Sequence, residues 1–178
     1  MSWEEDLFAL FDDLEQQAEA LYDAERGIEL ADRSRAEYAG VSLVSRLMAS
    51  LDREVRVEVV GVGQVNGILD RVAGTWCLVR GSAQDWVVPL AALSAVSGAS
   101  DRSTPDAVWS PVARLGLGSA LRRLAEAGER CVLHQQDGSR HDGVLGRVGK
   151  DFVEVLTGDD HRVVLVALGS LAAVQSRE

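Results

Sequence analysis

The stretch VRVEVVGVGQVNGILDRVAGTWCLV (55–79) decides how the chain is read. Val55, Val57 and Val59 alternate with Arg56 and Glu58, the period-two pattern of a strand with one buried and one wet face. Val65, Gly67 and Leu69 continue the inner face on a second strand. Shifted by 76 residues, the stretch lies without a gap on CVLHQQDGSRHDGVLGRVGKDFVEV (131–155). Gly67 then meets Gly143, Leu69 meets Leu145, Arg71 meets Arg147, Val72 meets Val148, and Trp76 meets Phe152. Upstream, VSLVSRLMASLDREV (41–55) lies on LGSALRRLAEAGERC (117–131), with Arg46 on Arg122 and Ala49 on Ala125. Downstream, after a two-residue insertion, LSAV (93–96) lies on LAAV (171–174). The expected unit is a short helix followed by four or five short strands, present twice.

Asp137-Gly138 marks a hairpin turn in the second copy. A two-residue loop would set Gln135 opposite Arg140 and His134 opposite His141. A three-residue loop with a glycine bulge, the preferred reading, would pair position 135 with 141 and Val59 with Val65. Five short strands per unit leave edges that closure into a small barrel would remove.

The succession of helix, alternating strand, turn, G-x-L-x-x-V, short strand and final L-x-x-V resembles the Sm-like (LSm) small β-barrel, and SH3-like barrels share the alternation. The resemblance is carried by Gly67-Ile68-Leu69-Asp70-Arg71-Val72 and Gly143-Val144-Leu145-Gly146-Arg147-Val148, and covers residues ~41–97 and ~115–175. The layout is also similar to bacterial proteins often labelled "Fis family transcriptional regulator", although the chain shows no basic helix-turn-helix. The resemblance implies tandem barrels, and the 76-residue repeat sets Gly67 and Gly143 at strongly bent strand positions. The resemblance does not carry over an RNA pocket. Where RNA-binding Sm proteins have Asp-x-x-Met-Asn and an Arg-Gly pair, this chain has Ala73-Gly74-Thr75-Trp76-Cys77 and Pro89-Leu90-Ala91-Ala92 in the first copy. The second copy has Gly149-Lys150-Asp151-Phe152-Val153 and Ala167-Leu168-Gly169-Ser170. The expected fold is mainly β with α: an N-terminal amphipathic helix, then two duplicated helix-plus-small-β-barrel (Sm-like) units. The segments are an acidic helical region 1–40, a first unit 41–97, a linker 98–114 rich in Pro, Ser, Gly and Asp, and a second unit 115–178.

Charge separates the front of the chain from the rest. Of 178 residues with a net charge of −10, residues 1–40 hold 12 of the 28 acidic side chains against Arg26, Arg33 and Arg35. Ser2-x-x-Glu5 has the form of a capping box. The stripe Leu7, Phe11, Leu14 and Leu21 marks a helix interface, packed either on its own chain or on a partner. The remaining chain is close to neutral, so it can still carry a local arginine patch. An acidic start predicts no signal peptide, no apolar run reaches the ~20 residues of a membrane span, and two cysteines suit a reducing cytoplasm.

No catalytic set emerges, and a non-enzymatic protein without cofactor is expected. His134, His141 and His161 cluster in the second copy near Asp137, Asp142, Asp159 and Asp160, but the preferred register turns His134 and His141 to opposite faces, so no metal site is expected. They read as solvated loop and strand-edge histidines. Cys77 and Cys131 fall at inward strand steps and read as small core residues. Trp76, Trp86 and Phe152 read as barrel seals and Trp109 as a linker anchor. Arg71 and Arg147, at the same place in both copies, and Arg122, Arg123 and Arg140 are the candidate partner or anion contacts. Two functions follow as expectations. One is an assembly, protein-interaction or regulatory module that binds a protein or itself, with no membrane role. The alternative is an RNA- or DNA-binding regulator that uses the arginines of the second unit.

Overall fold

The computed structural model describes residues 16, 17, 19, 22, 26, 32–158, 160 and 162–177. The chain divides into two compact units, residues 1–41 and 42–178. In the first, the described residues up to 39 are helical and exposed, and residues 32–39 form α1, with an Asp32–Arg35 ion pair at 3.2 Å. The stripe of Leu7, Phe11, Leu14 and Leu21 lies outside the described residues.

The second unit is a ten-stranded antiparallel sheet with two helices. Helix α2 (Leu43–Met48) precedes β1 (Glu54–Val59), β2 (Gly63–Val72), β3 (Trp76–Arg80), β4 (Asp85–Pro89) and β5 (Leu93–Ser97). Helix α3 (Leu117–Ala127) precedes β6 (Arg130–Gln135), β7 (Arg140–Val148), β8 (Phe152–Thr157), β9 (Arg162–Ala167) and β10 (Leu171–Ser176). The strand order is β5-β1-β2-β3-β4-β10-β6-β7-β8-β9. This corrects the expectation of two helix-plus-barrel, Sm-like units: the sheet is single and open, and neither half closes into a barrel. The physical reason is the joint between β4 and β10, where Val174 faces Val87 and Gln175 faces Trp86. Having paired with β6, β10 gives its second edge to β4, which satisfies backbone groups that a barrel would have satisfied by closure.

Local chemistry explains the elements. Ser42 caps α2 by accepting from the Ser45 amide at 3.2 Å, and Gly128 ends α3 in the left-handed region at φ 67°. In β1, Val55, Val57 and Val59 are buried while Glu54 and Arg56 are exposed. The hairpins have three-residue loops, as expected, but their registers differ from the expected one. Val57 faces Val65 and Val59 faces Gly63, while Leu133 faces His141 and His134 faces Arg140. The turn glycine sets this: Gly138 has φ 86°, its amide donates to the Gln135 carbonyl at 3.0 Å, and the Gln135 amide donates to the Ser139 carbonyl at 2.9 Å, so each β6 residue meets a partner two positions earlier on β7 than expected.

Two cores meet at the joint. Leu47 of α2 packs with Val57, Leu69, Cys77, Val79 and Val88, and Ala172 and Ala173 of β10 join them. Leu121 of α3 packs with Leu133, Leu145, Val153, Val155 and Val166, and Val87 of β4 joins them. Each core therefore contains residues from the other half of the sheet. The connection between the halves is mostly exposed and is fastened at a few points. Arg46 donates to the Ser100 carbonyl at 2.8 and 2.5 Å, the Ser100 amide donates to Ser50 Oγ at 2.8 Å, and Trp109 Nε1 donates to the Thr104 carbonyl at 2.9 Å.

Candidate functional site: the joint groove and the sheet edges

A cavity of about 580 Å³ lies over the joint, between α3, the connection and strands β3, β4, β6 and β10. Its floor is apolar, with Trp76, Leu78, Val87 and Val174, and Trp76 Nε1 donates to the Leu115 carbonyl at 3.0 Å. Arg71, Arg123 and Arg130 bring guanidinium groups to its lining, and Asp85 and Glu129 bring carboxylates.

The candidate arginines do not form one patch. Arg71 and Arg123 line the groove, and Arg123 also lies 3.5 Å from Glu126. Arg71 lies 3.8 Å from Asp70, whose carboxylate is held more closely by Arg80. Arg147 is engaged by Glu154 through two bonds, Nη2–Oε1 at 2.8 Å and Nε–Oε2 at 3.1 Å. That bond holds the Glu154 carboxyl below the usual carboxylate range and lifts the Arg147 guanidinium. At the position where β8 has Glu154, β3 has Leu78, so Arg71 has no such partner across the strand. Arg122 and Arg140 are exposed and stand outside the groove. Sequence reasoning missed Arg130, which bonds Asp142 at 2.7 Å and lines the groove. Its only signal was its place before Cys131, at the wet step of an alternating strand.

His134 is corrected from a solvated strand-edge residue to a buried one, with 7% of its surface exposed. Its Nε2 lies 2.7 Å from Gln175 Oε1, and its ring lies 5.4 Å from that of Trp86. Gln175 in turn bonds Gln84, so a polar chain crosses the joint from β6 through β10 to the turn before β4. His141 sits opposite Leu133, and His161 lies outside the described residues. Cys77 and Cys131 are free and buried, and burial pushes their thiols up to about 12 and about 11.

The outer strands differ from the joint. In β9, Val163 and Leu165 are 52% and 63% exposed, whereas Val87 and Val174 at the joint are 7% and 2% exposed. No helix among the described residues is long and apolar enough to cross a membrane. No protein-family model and no curated protein matches the chain.

Proposed function

We propose that the chain is a non-enzymatic assembly module whose sheet edges dock protein. One observation carries this reading: β9 is an outermost strand of sequence RVVLVA that holds two large apolar side chains more than half in water. An exposed edge of this kind is usually blunted by charge, proline or a bulge, because its open row of amides and carbonyls templates pairing with another chain. In β9 the sole charge is Arg162, at the start of the strand. The side chains best suited to chemistry already have structural work: His134 is bonded to Gln175, Arg147 to Glu154, and both thiols are held protonated by burial.

A photo-crosslinking residue at position 165, introduced into the full chain in cells, tests the reading. A discrete protein adduct supports it, and the absence of any protein adduct overturns it. The nucleic-acid reading has one observation in its favour, the three guanidiniums at the groove. Against it, Arg123 and Arg130 already face Glu126 and Asp142, and Asp85 and Glu129 share the lining. Titration with RNA and DNA at two salt concentrations is expected to show no binding. Binding that weakens steeply with salt would replace the assembly reading.

A further inference from the structure

We infer that the groove over the joint binds a small apolar monocarboxylic acid, with its carboxylate on Arg71 and its apolar body on the floor between the two halves. The groove lies apart from the outer strands, so this site stands or falls independently of edge docking. A comparison of the two halves carries the inference. Arg71 and Arg147 hold the same place in the repeat. Arg147 is gripped by the Glu154 carboxylate through two bonds, at 2.8 and 3.1 Å. Gly146 leaves room for that carboxylate, since a Cβ there would lie 3.2 Å from Glu154 Cβ. In the first half Arg71 faces Leu78 instead. Asp70 stands where the second half has Gly146, but its carboxylate is turned to Arg80 and lies 3.8 Å from Arg71. The first half thus keeps the guanidinium of the repeat without the carboxylate that grips it in the second.

What stands in the place of that carboxylate is apolar. Leu78 lies on the groove floor beside Trp76, Val87 and Val174, and the exposed side chains of Val112 and Leu115 stand in the lining. At about 580 Å³ the groove has the volume of a small-molecule site, which is roughly 300–1,000 Å³. A ligand that covers this floor removes apolar surface from water. The charged side chains fix how much charge the ligand carries. Arg123 lies 3.5 Å from Glu126, and Arg130 bonds Asp142 at 2.7 Å, so both already have carboxylates. Asp85 and Glu129 share the lining and repel a second negative charge. One carboxylate is therefore favoured over a phosphate ester or a dicarboxylate. Its two oxygens match the guanidinium fork, as those of Glu154 match Arg147.

The test is isothermal titration calorimetry on the purified full chain with octanoate, phenylacetate and the uncharged octanol. Each acid is expected to bind saturably, one molecule per chain, and octanol about tenfold or more weakly than octanoate, because it lacks the charged bond to Arg71. Arg71→Gln changes an exposed side chain and leaves the fold intact. It is expected to weaken both acids by about tenfold or more and to leave octanol unchanged. Arg147→Gln, the same change at the counterpart outside the groove, is expected to alter none of the three. Leu78→Glu gives the first half the carboxylate that the second half has, and is expected to abolish binding of both acids with an unchanged circular dichroism spectrum. If Leu78→Glu does not fold, Arg71→Gln decides alone. The absence of saturable binding by either acid would overturn the inference. So would equal binding of octanoate and octanol, acid affinity that survives Arg71→Gln, or an equal loss in Arg147→Gln.

Discussion

Gly67 and Gly143 are glycine because the next strand leaves no room for anything larger. A Cβ on Gly67 would collide with the carbonyl oxygen of Arg80, and one on Gly143 with that of Leu156. The obstacle is backbone, so it cannot rotate away. Gly67→Ala and Gly143→Ala are each expected to cost about 1–3 kcal/mol in denaturant unfolding, as overpacked sites do. Gly74→Ala, where a Cβ meets open space, is expected to cost far less. The cysteines give a pH dependence of defined sign. Burial raises both thiols above their ordinary value of 9.0, so the unfolded chain ionises first as pH rises. Stability is full below about pH 9 and declines toward the folded values of about 11 and about 12. Unfolding measured at rising pH should show this decline, and it should be shallower in Cys77→Ala. Both glycines and both cysteines were legible from alternation and from their coincidence in the shifted sequence. His134 was not, because its burial depends on β10 and Trp86, which lie far away along the chain.

At the level of elements, alternation located the strands well, and the three-residue hairpin loops followed from the turn glycines. The register did not, because Gly138 closes the loop with its own hydrogen bonds before the expected pair can form. The Pro, Ser, Gly and Asp content of the connection between the halves signals an irregular path, and most of its residues are exposed. Ser100 is nevertheless only 4% exposed, and its carbonyl takes the Arg46 guanidinium. Removing that group by Arg46→Ala is expected to destabilise the protein by about 1.5–3 kcal/mol, as loss of a charged hydrogen bond does. Arg122, its counterpart in the shifted sequence, is exposed on α3, and Arg122→Ala should lie within about 0.5 kcal/mol of wild type. Comparing the two unfolding midpoints checks both statements. A shared sequence position thus has different structural weight in the two halves.

At the level of the molecule, the pairing of β4 with β10 decides between two closed units and one sheet, and no local pattern encodes it. Strands of five and six residues, more than eighty residues apart, announce their own alternation but not their partner. Since the joint places Val87 in one core and Ala172 and Ala173 in the other, residues 42–178 should unfold as one body. Calorimetry is expected to give a single transition for this unit. Two resolved transitions would show that the halves are held together by far less than their shared core implies.

The place of β10 in chain order bears on how the protein is made. A ribosome delivers β4 early, and the strand that covers its edge comes out only after α3 and the other four strands of the second half. At about 5–20 residues per second, the nascent first half spends several seconds with Val87 and its open backbone edge uncovered. Leu171 to Val174 then supply both hydrophobic clusters at once. Synthesis halted before Leu171 would leave two incomplete halves, each a substrate for chaperones and proteases. The six residues of β10 thus complete both halves in a single late step.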